Sequence, residues 1–213
     1  MTPVYVESGV AMATDDGAAA WSFEPGWWGR CGQGADEPAA LAYLAAQLGR
    51  DDCVAVERIH GDEQAFRRDH RPASLAERAA TLAVLATARA DTIDLITHTP
   101  PEVLDAAQPH RVLPSWARWR TVRQMAWHLA DTESRYYLPS LGLPARDPEP
   151  DLLAELRASA RHVREVVATM PADLVRRADG EVWTTVKVLR RLAWHERSEL
   201  RTMHHLTRRP TDA

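Results

Sequence analysis

Cysteine is scarce. Cys31 and Cys53 are the only two in 213 residues, too few for a disulfide framework and without the spacing of a metal-ligand pair, so the chain reads as a reduced, cytoplasmic protein. Long apolar runs are missing as well. No stretch approaches the ~18 uninterrupted apolar residues that a membrane span needs, and no membrane partner is expected. The opening MTPVYVESGV has neither a basic flank nor a long apolar run, so no signal peptide is expected. Positive charge is not in excess either: a formal net charge of −4 argues against a general nucleic-acid binder.

What the chain does have is apolar substance, 45% of its residues, enough for a core in one large or two small domains. Its charge is unevenly divided. Residues 1–62 carry three arginines against ten acidic residues, a net −7, which leaves +3 for the remainder. Hydrophobic period changes at the same place. Residues 3–8 and 53–59 alternate as strands do, 18–24 do so loosely, and 27–31 form a short third strand. Residues 36–48 form a helix, with Asp36 as N-cap, Pro38 in the first turn and Gly49 past the end. The order is βββαβ, an α+β unit over residues 1–62. Residues 63–73 read as a linker.

The stretch PGWWGRCGQGADEPAAL at 25–41 resembles the small domain of HicB-like antitoxins: a Pro-Gly-aromatic turn, a glycine-bearing strand and an acidic-Ala-Leu helix start. No ribbon-helix-helix or helix-turn-helix segment follows. The resemblance implies an interaction module that covers or dimerises its neighbour, and a homodimer is expected.

From residue 74 the period becomes helical. Ser74-Leu75-Ala76-Glu77 is a capping box opening a helix that runs to about Thr99 and stops before Pro100-Pro101. Further helices are predicted over about 120–138, 150–169 and 184–206, and four such amphipathic segments imply an all-α four-helix bundle over 74–213. Two of them share a phrase. Trp119-x-Thr121-Val122 leads into Ala126-Trp127-His128, and Trp183-x-Thr185-Val186 leads into Ala193-Trp194-His195. On the last helix Leu192, His195, Glu199, Met203 and Leu206 follow at steps of three or four and form one seam. A step of four leaves His195 and Glu199 only ~40° apart and one turn apart in height. An imidazole and a carboxylate on an apolar seam need partners, and a metal ion is one. If the two phrases pack together, His128, His195 and Glu199 converge. The plain alternative is an i,i+4 pair of about 0.2–0.5 kcal/mol, with the tryptophans as core.

These phrases resemble the DinB-like superfamily of metal-binding four-helix bundles, over roughly residues 74–207. The resemblance implies one histidine ligand on the second helix and a His-x-x-x-His pair on the fourth. His128 and His195 match, and Glu199 stands where the second histidine of the pair would be. Two histidines and a carboxylate reduce a dication to about +1 and leave positions open; zinc, nickel or iron suits that set. The resemblance further implies metal-dependent transfer or isomerisation with a low-molecular-weight thiol and a small-molecule substrate. Two other classes stay open: a ligand-binding or protein-interaction module without turnover, and a metal-dependent hydrolase with Glu196 as general base. His204 and His205 lie about 180° and 280° around the helix from His195 and belong to the surface. So do His60, His70, His98, His110 and His162. Trp119, Trp127, Trp183, Trp194, Tyr136 and Tyr137 read as more core than pocket. Arg123, Arg190 and Arg191 are candidates to grip a substrate carboxylate.

Overall fold

The alternation at the start of the chain becomes a strand because one set of its side chains faces a helix and the other a second layer. β1 (Thr2–Val10) turns Val4 and Val6 toward α1 (Glu37–Leu48), and Tyr5 and Glu7 the other way. It pairs antiparallel with β2 (Gly17–Trp21), β2 antiparallel with β3 (Cys31–Gly34), and β1 parallel with β4 (Cys53–His60), in the order β3-β2-β1-β4. These are residues of a computed structural model that describes positions 1–12, 14–111 and 113–208. The third strand lies further along than the predicted 27–31, because Pro25–Trp27 form a 3-10 turn and Gly29 takes a positive φ of 75°. Helix α1 starts at the N-cap Asp36, whose side chain accepts from Ala39 N–H, and ends on left-handed Gly49. It packs tightly on β3: a Cβ at Gly32 would fall 2.2 Å from the Ala40 carbonyl oxygen, so only glycine admits this approach.

The stretch read as a linker is anchored at several points. Phe66 and Asp69 are buried, Glu63 is nearly so, and residues 67–70 make a 3-10 turn. Ser74 and Glu77 then form the predicted capping box, with Ser74 N–H donating to Glu77 Oε2 at 2.8 Å. Helix α2 spans Leu75–His98, and a short turn of helix, α3 (Pro101–Leu104), follows the prolines. After an irregular connection, α4 (Val122–Asp131) opens on a second capping box, Thr121 with Gln124. It continues without a break through a π-helical segment, Thr132–Tyr137, into α5 (Leu138–Ser140). Helix α6 covers Leu152–Thr169 and α7 covers Thr185–Arg208. Residues 209–213, counted with the helical part above, lie outside the described residues.

Helices α2 and α4 each pack against both α6 and α7. The expectation that this part is all-α is corrected by a hairpin of β5 (Val175–Ala178) and β6 (Glu181–Thr184) between α6 and α7. Its physical reason is local. Asp179 and Gly180 both have positive φ, 53° and 84°, and a two-residue turn of that kind matches the twist of paired strands. The chain is thus mixed α+β: a four-stranded sheet followed by helices, with a small hairpin inserted.

One core crosses from sheet to helices, with Trp21, Phe23 and Trp28 packed among Val84, Leu85, Leu189 and Leu192. A second core, around Met125, Leu129, Leu156 and Met203, lies among α2, α4, α6 and α7. Between sheet and α7 runs a buried ionic layer. Arg190 contacts Glu7 and Asp69 at 2.9 and 3.1 Å, and Arg191 contacts Glu63 at 3.1 Å and Glu7 at 3.4 Å. Lys187, the only lysine of the chain, meets Glu63 at 2.9 Å. Three cations face three acids, which is the arrangement that makes burial of charge tolerable.

Candidate metal centre

The seam on α7 faces inward: Leu192 and Met203 are fully buried, and His195 and Leu206 nearly so. Glu199 is half-buried, with its Oε2 shut off from solvent and without a hydrogen-bond partner. Opposite, α4 presents His128. The three side chains predicted as ligands come together, each offering one donor atom, and these atoms all lie within 4.8 Å of one another. Glu199 lies at the loose end of the set. Donors on one tetrahedral ion lie about 3.4 Å apart, so a spread of up to 4.8 Å asks for a shift of about an ångström or more to close the set.

The two imidazoles meet through their Nε2 atoms, 3.2 Å apart, with the rings nearly perpendicular. Each ring is positioned from its other nitrogen. His128 Nδ1 lies 3.0 Å from Thr132 Oγ1, and His195 Nδ1 lies 3.5 Å from Glu133 Oε1. Neither His195 Nδ1 nor Glu133 Oε1 has a closer polar partner. A proton on one Nε2 makes this contact an N–H···N hydrogen bond; with a proton on each Nδ1, two Nε2 lone pairs point at each other. That opposition is unfavourable unless a cation sits on both, and 3.2 Å matches neighbouring ligands each about 2.1 Å from a shared ion. Burial supports the neutral rings. It drives the His128 imidazole far below its ordinary value, with neighbouring His195 adding to the effect. His195 is driven down to about 3 by burial and then by the Arg89 and Arg191 charges. Burial raises Glu199 to about 7, against the pull of Arg111. The residues present fit a divalent ion by three marks: facing Nε2 atoms, an orphaned carboxylate oxygen, and a mixed nitrogen–oxygen donor set.

Behind the histidines lies a polar knot that the sequence reading missed. Arg89 on α2, 2% exposed, binds Glu133 at 2.8 Å and Glu196 at 2.9 Å, and also donates to Ser159 Oγ and the Leu156 carbonyl. Burial raises both carboxyls while Arg89 opposes it, so the pair favours holding a proton. Through Glu133 the knot reaches the back of His195, 3.5 Å from its Nδ1. Glu133 lies five residues after His128, a step that a regular α-helix would rotate by about 140°. The π-helical turn that carries it leaves no mark in hydrophobic period, although such turns gather at functional sites.

In front of the histidines opens a cavity of about 710 Å³. Trp119 stacks on His128 with ring centres 3.5 Å apart, and Trp194, Tyr136 and Tyr137 line the space, so four of the six aromatics read mainly as core face the cavity. Trp183 is core, and Trp127 packs against the second core. The sheet unit contributes a wall through Met12 and Asp62, continued by Glu63 just after it. Its hairpin also holds the 105–121 connection, where Trp116 Nε1 donates to the Ala11 carbonyl at 3.2 Å and Ser115 N–H to Asp15 Oδ1 at 2.6 Å. Glu196 faces the knot, not the cavity. Arg190 is spent on the ionic layer, Arg191 lines the cavity but is already paired, and Arg123 pairs with Asp105 at 2.6 Å. His204 is half-exposed and His205 exposed, away from the site.

No family model matches the chain, and neither does any curated protein or solved structure.

Proposed function

We propose that the protein binds one divalent transition metal, zinc, nickel or ferrous iron, through His128, His195 and Glu199, and acts on a small molecule admitted by the aromatic cavity. The observation that carries this reading is the pair of facing Nε2 atoms beside an orphaned Glu199 oxygen at the cavity floor. In this reading the four long helical segments are a bundle of the DinB-like type and the sheet unit is a HicB-like cover. The reaction is transfer or isomerisation with a low-molecular-weight thiol. A bound ion would supply Lewis acidity and lower the pKa of a thiol.

The chain's own residues do the rest. Thr132 and Glu133 orient the two imidazoles, and Arg89 holds Glu133 in place. Tyr137 lines the cavity buried beside His195; burial raises its phenol, so it keeps its proton and can donate to substrate. Trp119, Trp194 and the sheet unit exclude water. Glu196, committed to Arg89, has no line to a water in the cavity, which favours transfer over hydrolysis.

The test is metal content of protein purified without a histidine tag, with calorimetric titration of zinc. About one equivalent is expected for the parent. His195→Ala and His128→Ala should each lower affinity by about two orders of magnitude or more, since a structural ligand is lost. Glu199→Gln should weaken binding less, and Glu199→His should retain it. Undiminished binding by both histidine variants would overturn the triad.

A further inference from the structure

The charges around the cavity can be matched one at a time. Arg191 is held by Glu7 and Glu63, Asp131 by Arg135 at 2.5 Å, and Asp62 accepts from Ala11 N–H at 3.3 Å. Three charged groups are left without an ion-pair partner among the described residues: Asp62, which is exposed, Glu199 and Arg111. Arg111 lines the cavity half-buried, forms no ion pair among the described residues, and spends one N–H on the Trp119 carbonyl at 3.3 Å. Where Glu199 is a metal ligand, its charge is consumed by the ion. The cavity then holds two positive centres, the ion at about +1 after Glu199 and the arginine, and the one unpaired carboxylate left beside them among the described residues is the exposed Asp62.

Resting on the metal reading above, we propose that the substrate is an organic acid, a carboxylate on a planar apolar body, with the carboxylate gripped by Arg111. The guanidinium presents a rigid fork of donors that fits a carboxylate through two parallel hydrogen bonds. The body would lie against Trp116, Trp119 and Trp194, which line the same space. Aromatic walls with one convergent charged group are the usual make-up of a small-molecule site, and about 710 Å³ is ample for such a ligand.

Benzoate and benzamide are the probes, equal in shape and different in charge, titrated calorimetrically into the zinc-loaded protein. Benzoate should bind at least about tenfold more tightly than benzamide, the scale of a charge-assisted hydrogen bond. Arg111→Gln should remove that preference and leave benzamide affinity within about twofold. Arg111→Lys keeps the charge without the fork and should fall between. Should Arg111→Gln lose zinc, the lysine variant decides alone: a selective drop for benzoate supports the inference, and no drop overturns it. Benzoate affinity unchanged in both variants means that the carboxylate sits elsewhere, on the ion for example, and overturns the inference too. Zinc content of the same samples separates the two readings. A parent that takes up no zinc fails the metal reading and this inference with it. A parent that holds zinc but does not prefer benzoate fails the inference alone.

Discussion

At the scale of single residues the site is a set of groups whose protonation states are arranged before any ligand arrives. His128 and His195 are depressed, so they favour the fold while neutral; their contribution is complete above about pH 6.5 and is lost as pH falls through that value toward 3. Glu199 runs the other way. Its carboxyl is raised to about 7 from an ordinary 4.5, so the stability of the metal-free site that depends on its proton is complete below 4.5 and is lost as pH rises through 7. Metal must displace that proton at low pH. Zinc affinity should therefore fall by about tenfold per unit once pH drops below about 7, and steepen when the histidines also begin to bind protons. The measurement is calorimetric titration across about pH 5.5 to 8; affinity flat over that span would mean Glu199 is not a ligand. His128, His195 and Glu199 were legible in the sequence because an echoed phrase and a helical step of four put them on facing seams. Arg89, Glu133 and Arg111 were not. Each lies on a different element or on an irregular connection, and arginines and glutamates are too common for their spacing to stand out.

At the scale of elements, α7 does most of the organising. One of its faces supplies His195 and Glu199, and another supplies the three cations that meet the sheet. Its position is set closely near the site. Gly29, with φ of 75°, sits so near that a Cβ there would fall 2.5 Å from Ala193 Cβ, two residues before His195. Gly29→Ala should therefore cost about 2–4 kcal/mol, from left-handed backbone strain together with overpacking against a helix that cannot yield. Chemical denaturation gives that number, and zinc affinity should fall in the same variant as the helix shifts; a change within about 0.5 kcal/mol would show that the contact is loose. Element boundaries followed sequence wherever a cap or a proline declared them: Asp36, Ser74, the Pro100-Pro101 pair. The π-helical turn and the β5–β6 hairpin escaped. The first keeps a helical period, and the second is four residues a side with most of β5 exposed, too short to impose one.

At the scale of the whole molecule, α7 is held by acids from two stretches of the chain. Glu7 of the acidic first part, with Glu63 and Asp69 of the segment that follows it, meets Lys187, Arg190 and Arg191. Glu7, fully buried, serves two of the three cations. Glu7→Gln leaves both arginines short of counter-charge and should cost about 3–5 kcal/mol, the usual penalty of breaking a buried ion pair on one side. Because one apolar core spans sheet and helices, tryptophan fluorescence and circular dichroism should lose signal together in that variant and in the parent. Separate transitions would mean that the two parts unfold independently. The same layer has a consequence for covalent labelling. The chain's single side-chain amine is Lys187, with no exposed surface, so acylating reagents and lysine-directed proteases find it only after sheet and helix have come apart. The rate at which that one position becomes modified is a clock for global opening, read by mass alone and without an engineered probe.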